Sequence, residues 1–194
     1  MRFLARMVQV LALLALTVAV VLWFAARRGD RGTIEEEITI ARPAPAVFRW
    51  ISSEDLAHRW ISDLVELRKA DAGAPERNVP GFRMTQMVAG HRVEMTMRIA
   101  RVVPNEELSL LVSSGGADAG FSGDASFKLF PGEDYTRLVF TSHTRFVSFS
   151  DRVLEPVLTF LTQRKLHNDL EKLKLLMESL PDKPANPRST TLGG

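Results

Sequence analysis

Four histidines, His58, His91, His143 and His167, and the carboxylate Glu94 are the side chains in this 194-residue sequence best suited to acid–base or metal chemistry. General acid–base catalysis needs such a group within hydrogen-bond reach of the reacting atom. Zinc needs three or four ligands brought to one point, which local spacings such as His-x-x-His or His-Glu-x-x-His often begin. None of the histidines stands at such a spacing, so no metal is expected. The chain has no cysteine, which removes a thiol nucleophile and a lipid-modified cysteine anchor. It also lacks a Gly-x-Ser-x-Gly elbow, a Gly-x-Gly-x-x-Gly turn and a phosphate loop. No catalytic residue and no cofactor is assigned.

The elements that carry these groups turn them away from an interior. In "TRLVFTSHTRF" (136–146) Leu138, Phe140 and Ser142 share one face, which puts His143 with Val139 and Thr141 on the other. Val93, Met95, Met97 and Ile99 likewise leave Glu94, Thr96 and Arg98 outside. His58, near Trp60, is expected at a helix end. Asp124 follows Gly123, a candidate bulge that would reset the alternation, so its face is left open. Trp50 and Trp60 are expected to staple two short helices.

Those helices follow from "ITIARPAPAVFRWISSEDLAHRW" (38–60). Ile34, Ile38 and Ile40 make a strand over 33–42 that Pro43 and Pro45 end, since neither offers a ladder N–H. Val47, Phe48 and Ile51 then recur at helical spacing, and Ser52 or Ser53 is positioned to cap a second short helix over 54–58. Strand-like runs follow at 61–70, at 81–103 (a hairpin turning at Ala89-Gly90), at 107–114, at 121–130 and at 136–146. From Asp151 to Ser179, Val153, Val157, Leu161, Leu166, Leu170, Leu173 and Met177 recur mostly every three or four residues, which predicts one long amphipathic helix, irregular near Pro156. The class is α+β: a curved antiparallel sheet of six to seven strands wrapped around a long C-terminal helix.

This order resembles the START-related superfamily (SRPBCC), the helix-grip fold of polyketide cyclases/dehydrases and many lipid-binding proteins. The residues that carry the resemblance are Ile38 and Ile40 before Pro43 and Pro45, Val47-Phe48, Ile51 and Trp60. "AGHRVEMTMRIARVVPNEELSL" resembles the family's central hairpin, and "KLHNDLEKLKLLME" its closing helix. The resemblance covers about residues 34–179 and implies a cavity between sheet and helix.

Four of the seven methionines, Met84, Met87, Met95 and Met97, fall in one hairpin. Thioethers adapt to irregular apolar shapes and suit such a cavity, although they also suit ordinary core packing. The expected ligand-binding wall comprises Phe82, Met84, Met95, Met97, Leu110, Val112, Phe127, Leu129 and Phe140, with Val157 and Leu161 from the helix. The expected partner is a hydrophobic small molecule: a lipid, a quinone or a polyketide-like compound. A cyclase/dehydrase-like enzyme using polar groups in the same cavity is the alternative, and an interaction module with a filled interior is a third reading.

The sequence begins with a different kind of segment. From Met7 to Ala26 it carries no charge, and 20 residues at about 1.5 Å each span a hydrocarbon core of roughly 30 Å. A cleaved signal peptide competes, but Trp23 or Phe24 stands where cleavage wants a small residue. Residues 1–32 are therefore expected to be a transmembrane anchor with basic flanks, 33–180 the folded domain and 181–194 a disordered tail. Arginines flank the span on both sides, and its signal-anchor build favours an extracytoplasmic domain. The sequence pI near 9.2 does not indicate nucleic acid: residues 1–32 carry +4 and 181–194 carry +1 of a total +2, leaving the folded part at about −3.

Overall fold

A computed structural model describes Leu13, Leu16, Thr17 and residues 32–69, 81–88, 91–115 and 120–180. The expected anchor (apart from those first three residues), the Ala89-Gly90 turn and the tail 181–194 lie outside the described residues. Among the described residues no helix is long and apolar enough to cross a membrane.

Strand β1 (Gly32–Ile40) is followed by helices α1 (Ala44–Ser52) and α2 (Glu54–Trp60). Six more strands follow: β2 (Leu64–Lys69), β3 (Gly81–Val88), β4 (His91–Val103), β5 (Glu107–Gly115), β6 (Gly120–Pro131) and β7 (Thr136–Phe146). Helix α3 (Phe149–Ser179) closes the chain. The seven strands form one sheet in the order β1-β7-β6-β5-β4-β3-β2, with every neighbouring pair antiparallel. Thus β2 to β7 form a meander, and α1 and α2 carry the chain from one sheet edge to the other.

Local chemistry accounts for the boundaries. Pro43 is the N-cap of α1 and Pro45 lies in its first turn, where the missing N–H costs nothing. Ser53 holds the N-cap of α2, but without a side-chain cap bond. Its carbonyl accepts from the Ala57 N–H at 3.1 Å instead, while Ser52 Oγ donates to the Phe48 carbonyl at 2.7 Å. The expected serine side-chain cap is found elsewhere, at α3, where Ser148 Oγ accepts from the Asp151 N–H at 3.1 Å. Pro156 lies inside α3 without dividing it. Asn105 takes φ 67° in the turn after Pro104, a left-handed conformation that Asn tolerates.

The packed core sits at one end of the concave face. Ile38, Leu138 and Leu129 lie opposite one another across β1, β7 and β6. In the next row Phe140, Phe127 and Leu108 do the same across β7, β6 and β5. Val47, Trp50 and Trp60 from the short helices and Leu170, Leu173 and Met177 from α3 complete this cluster. Trp60 Nε1 donates to the Trp50 carbonyl at 3.3 Å, and its ring meets Phe127 edge-on at 6.5 Å, so the two tryptophans do hold the short helices together.

Two polar clasps fix α3. Arg42 Nε donates to the Met177 carbonyl at 3.0 Å and its Nη2 to the Glu178 carbonyl at 3.3 Å, a cation meeting the carbonyl end of a helix. Asp169, 4% exposed, accepts from the Ser62 N–H at 2.9 Å and from Lys165 Nζ at 2.6 Å.

Candidate functional site

Side-chain size changes along the concave face. Beyond the core rows come Ile34, Ser142, Ala125, Leu110 and Ile99, in register across β1, β7, β6, β5 and β4. The following row reads Gly32, Thr144, Gly123, Val112, Met97 and Phe82 from β1 to β3. The residues on β1, β7 and β6 are small there, and those on β5, β4 and β3 are larger and apolar. Met95 opposes Met84 one step further along β4 and β3. Phe82, Met84, Met95, Met97, Leu110 and Val112 are all half-buried, neither sealed in the core nor free in solvent.

The expected wall therefore divides. Phe82, Met84, Met95, Met97, Leu110 and Val112 line the half-open end. Phe127 and Leu129, 8% and 4% exposed, belong to the packed core, and Phe140 packs against it, 4.8 Å from Phe127 between ring centres. Met87 pairs with Arg92 on the convex face, apart from the other three methionines of its hairpin. The helix residues differ most. Val157 and Leu161 point outward, 57% and 50% exposed, rather than toward the sheet. The reason is a five-residue step from Leu161 to Leu166, which rotates the apolar stripe to the other side of α3.

Polar side chains of α3 meet β1. Thr159 lies against Gly32, where a Cβ would stand 2.7 Å from the threonine Oγ1. Gln163 Nε2 donates to Glu36 Oε1 at 2.9 Å, and His167 Nδ1 lies 3.2 Å from Glu36 Oε2. The Glu36 side chain, only 16% exposed, is an inward-facing carboxylate opposite Phe140. It escaped the sequence reading, although Ile34, Glu36, Ile38 and Ile40 share one parity.

The convex face carries the groups that the alternation sent there. His143 Nδ1 lies 3.0 Å from Asp124 Oδ2, and both line an open depression of about 240 Å³ with Ser122, Gly123 and Arg145. The β6–β7 register runs through Gly123 without a shift, so this glycine makes no bulge and Asp124 faces outward. Glu94 and Thr96 are exposed as well. His58 lies in the last turn of α2.

A curved antiparallel sheet closed by a C-terminal helix, with short helices between its first two strands, is a helix-grip fold. The chain belongs to the polyketide cyclase / dehydrase and lipid transport family, whose model matches residues 31–178. No match was found among curated protein sequences. Among solved structures the chain is similar to a conserved protein from Geobacillus kaustophilus, with TM-score 0.63 and 10% identity over 75% of this chain and 95% of that one. It is also similar to the Zhui aromatase/cyclase from Streptomyces sp. R1128, with TM-score 0.61 and 16% identity over 76% and 94%. The di-domain aromatase/cyclase StfQ from the steffimycin biosynthetic pathway matches at TM-score 0.57 and 14% identity, over 78% of this chain and 52% of that one. Such identities establish a common fold.

Proposed function

We propose that this protein is a membrane-anchored binding protein for a hydrophobic small molecule, a lipid, quinone or polyketide-like compound, held against the half-open end of its concave face. The observation that carries this reading is the wall formed by Phe82, Met84, Met95, Met97 and Val112, half-buried beside the small residues Gly123 and Thr144. An apolar chain entering this space removes methylenes from water at about 0.8 kcal/mol each. Ten methylenes would contribute about 8 kcal/mol before ordering costs, so useful affinity needs no catalytic group. Residues 7–26 supply the single membrane span in this reading, with the domain on the extracytoplasmic side.

Native mass spectrometry of the full chain, extracted gently from its host membrane, is the test. The wild type is expected to retain or take up an apolar adduct, and Met97→Glu, which places a charge in the wall, to lose it. A bare mass for the wild type, even after incubation with quinone and phospholipid, would contradict the reading.

Glu36 favours one second reading, a cyclase/dehydrase-like enzyme in which an inward carboxylate moves a proton. Under that reading Glu36→Gln abolishes turnover of a polyketide-like substrate while ligand retention survives. Under the binding reading Glu36 only ties β1 to α3, and the same variant leaves retention unchanged.

A further inference from the structure

Helix α3 carries two opposite amphipathic phases. Its C-terminal half buries Leu170, Leu173 and Met177 at 2%, 0% and 2% exposure. Followed back in steps of three and four, that phase leads to Gln163, Thr159, Glu155 and Arg152, all polar and half-buried. The other side of the same turns holds Leu154, Val157 and Leu161, with Phe160 beside them, at 51%, 57%, 50% and 62% exposure. In a helix lying on a core the apolar stripe faces inward. Here it faces outward, and among the described residues nothing covers it.

Its position in the fold bears on what could cover it. Gly32, at the start of β1, touches Thr159 in the middle of this half-helix. Only residues 27–31 separate Gly32 from Ala26, the end of the apolar run, so that run ends within about 20 Å of α3. The link contains Arg27, Arg28 and Arg31, and exposed Arg164 lies one turn beyond Phe160 and Leu161, all suited to anionic headgroups. Gly32 also begins the cross-strand row that ends in Val112, Met97 and Phe82. Gly32, the outward apolar face and the row of half-buried apolar side chains thus lie at one end of the domain.

We propose that Leu154, Val157, Phe160 and Leu161 insert into the surface of the bilayer, forming a second membrane contact beside the span. The proposal rests on the anchored reading above and adds an orientation to it. A span alone leaves the domain free to swivel. A second contact on α3 sets the open end of the concave face against lipid, so that an apolar ligand passes between bilayer and methionine-rich wall without crossing water. A second copy of the chain would also bury these side chains, but it would not account for their place beside the link to the span.

The chain contains no cysteine, so single labels are straightforward. Val157→Cys, Leu161→Cys, Asn168→Cys and Leu16→Cys, each in the full chain, receive an environment-sensitive fluorophore. Each is reconstituted in vesicles of phosphatidylethanolamine and phosphatidylglycerol containing lipid-borne or aqueous quenchers. The expected result is loss of most emission at 157 and 161 to the lipid-borne quencher, with 168 responding only to the aqueous one. Aqueous quenching at 157 and 161, with 16 in lipid, overturns the proposal and leaves the anchor standing. Self-quenching at 157 and 161 that disappears on dilution into more lipid overturns it in favour of a second copy. A label at 16 outside lipid refutes the anchored reading separately, whatever 157 and 161 report.

Discussion

Gly123 is the fourth residue of β6, where a Cβ would come within 2.1 Å of the His143 carbonyl oxygen on the paired strand. That oxygen belongs to the backbone and cannot step aside as a flexible side chain would. Gly123→Ala is therefore expected to destabilise the domain by about 1–3 kcal/mol, read as a lower urea midpoint at unchanged slope. An unchanged midpoint would mean that β6 and β7 do not approach so closely. Asp169 makes a similar case with charge. Its alanine variant leaves the Ser62 N–H and Lys165 without their acceptor, and a loss of about 1–3 kcal/mol is expected in the same measurement. Neither residue's role is legible in a one-dimensional pattern. The position of a glycine in a strand says that something comes close, but not whether that is a bulge, a ligand or a neighbouring carbonyl. Asp169 reads as an ordinary outer-face acid until folding brings residue 62 against it.

At the scale of elements much was legible, because period and punctuation are local. The run 136–146 is strand β7 to the residue, and the strands after Pro104 and after the glycine-rich loop fall within two residues of their expected limits. Alternation also placed His143 and Glu94 on the convex face. Helix α3 was legible in extent and illegible in phase. Val157 and Leu161 continue the series of Leu166, Leu170 and Leu173 only if a five-residue step is read as one of three or four. The two phases predict different energetics. Leu173→Ala, fully buried, is expected to cost about 2–5 kcal/mol, whereas Leu161→Ala is expected to change stability by less than about 0.5 kcal/mol in solution. Equal losses, measured by chemical denaturation, would show that the N-terminal half of α3 is packed like the C-terminal half.

For the whole molecule, the sequence supports the helix-grip fold through resemblance, while the division of its interior needed three dimensions. The expected wall drew on nine strand residues as though the concave face were uniform. Register shows why it is not: large side chains stack in rows over Ile38–Leu138–Leu129 and Phe140–Phe127–Leu108, and give way to Gly32, Thr144 and Gly123 two rows further on. The packed end holds the fold together, and the half-open end is the proposed ligand site. Separating the two lets a binding site be changed without unfolding its scaffold, so Met97→Glu should lower ligand occupancy while the thermal transition remains cooperative. The most direct measurement is photo-crosslinking of the full chain in membranes with an acyl chain carrying a diazirine, followed by peptide mapping. Adducts are expected on Phe82, Met84, Met95, Met97 and Val112, and addition of unlabelled apolar ligand should remove them. Adducts confined to the convex face around Asp124 and His143, or insensitive to competition, would contradict the account.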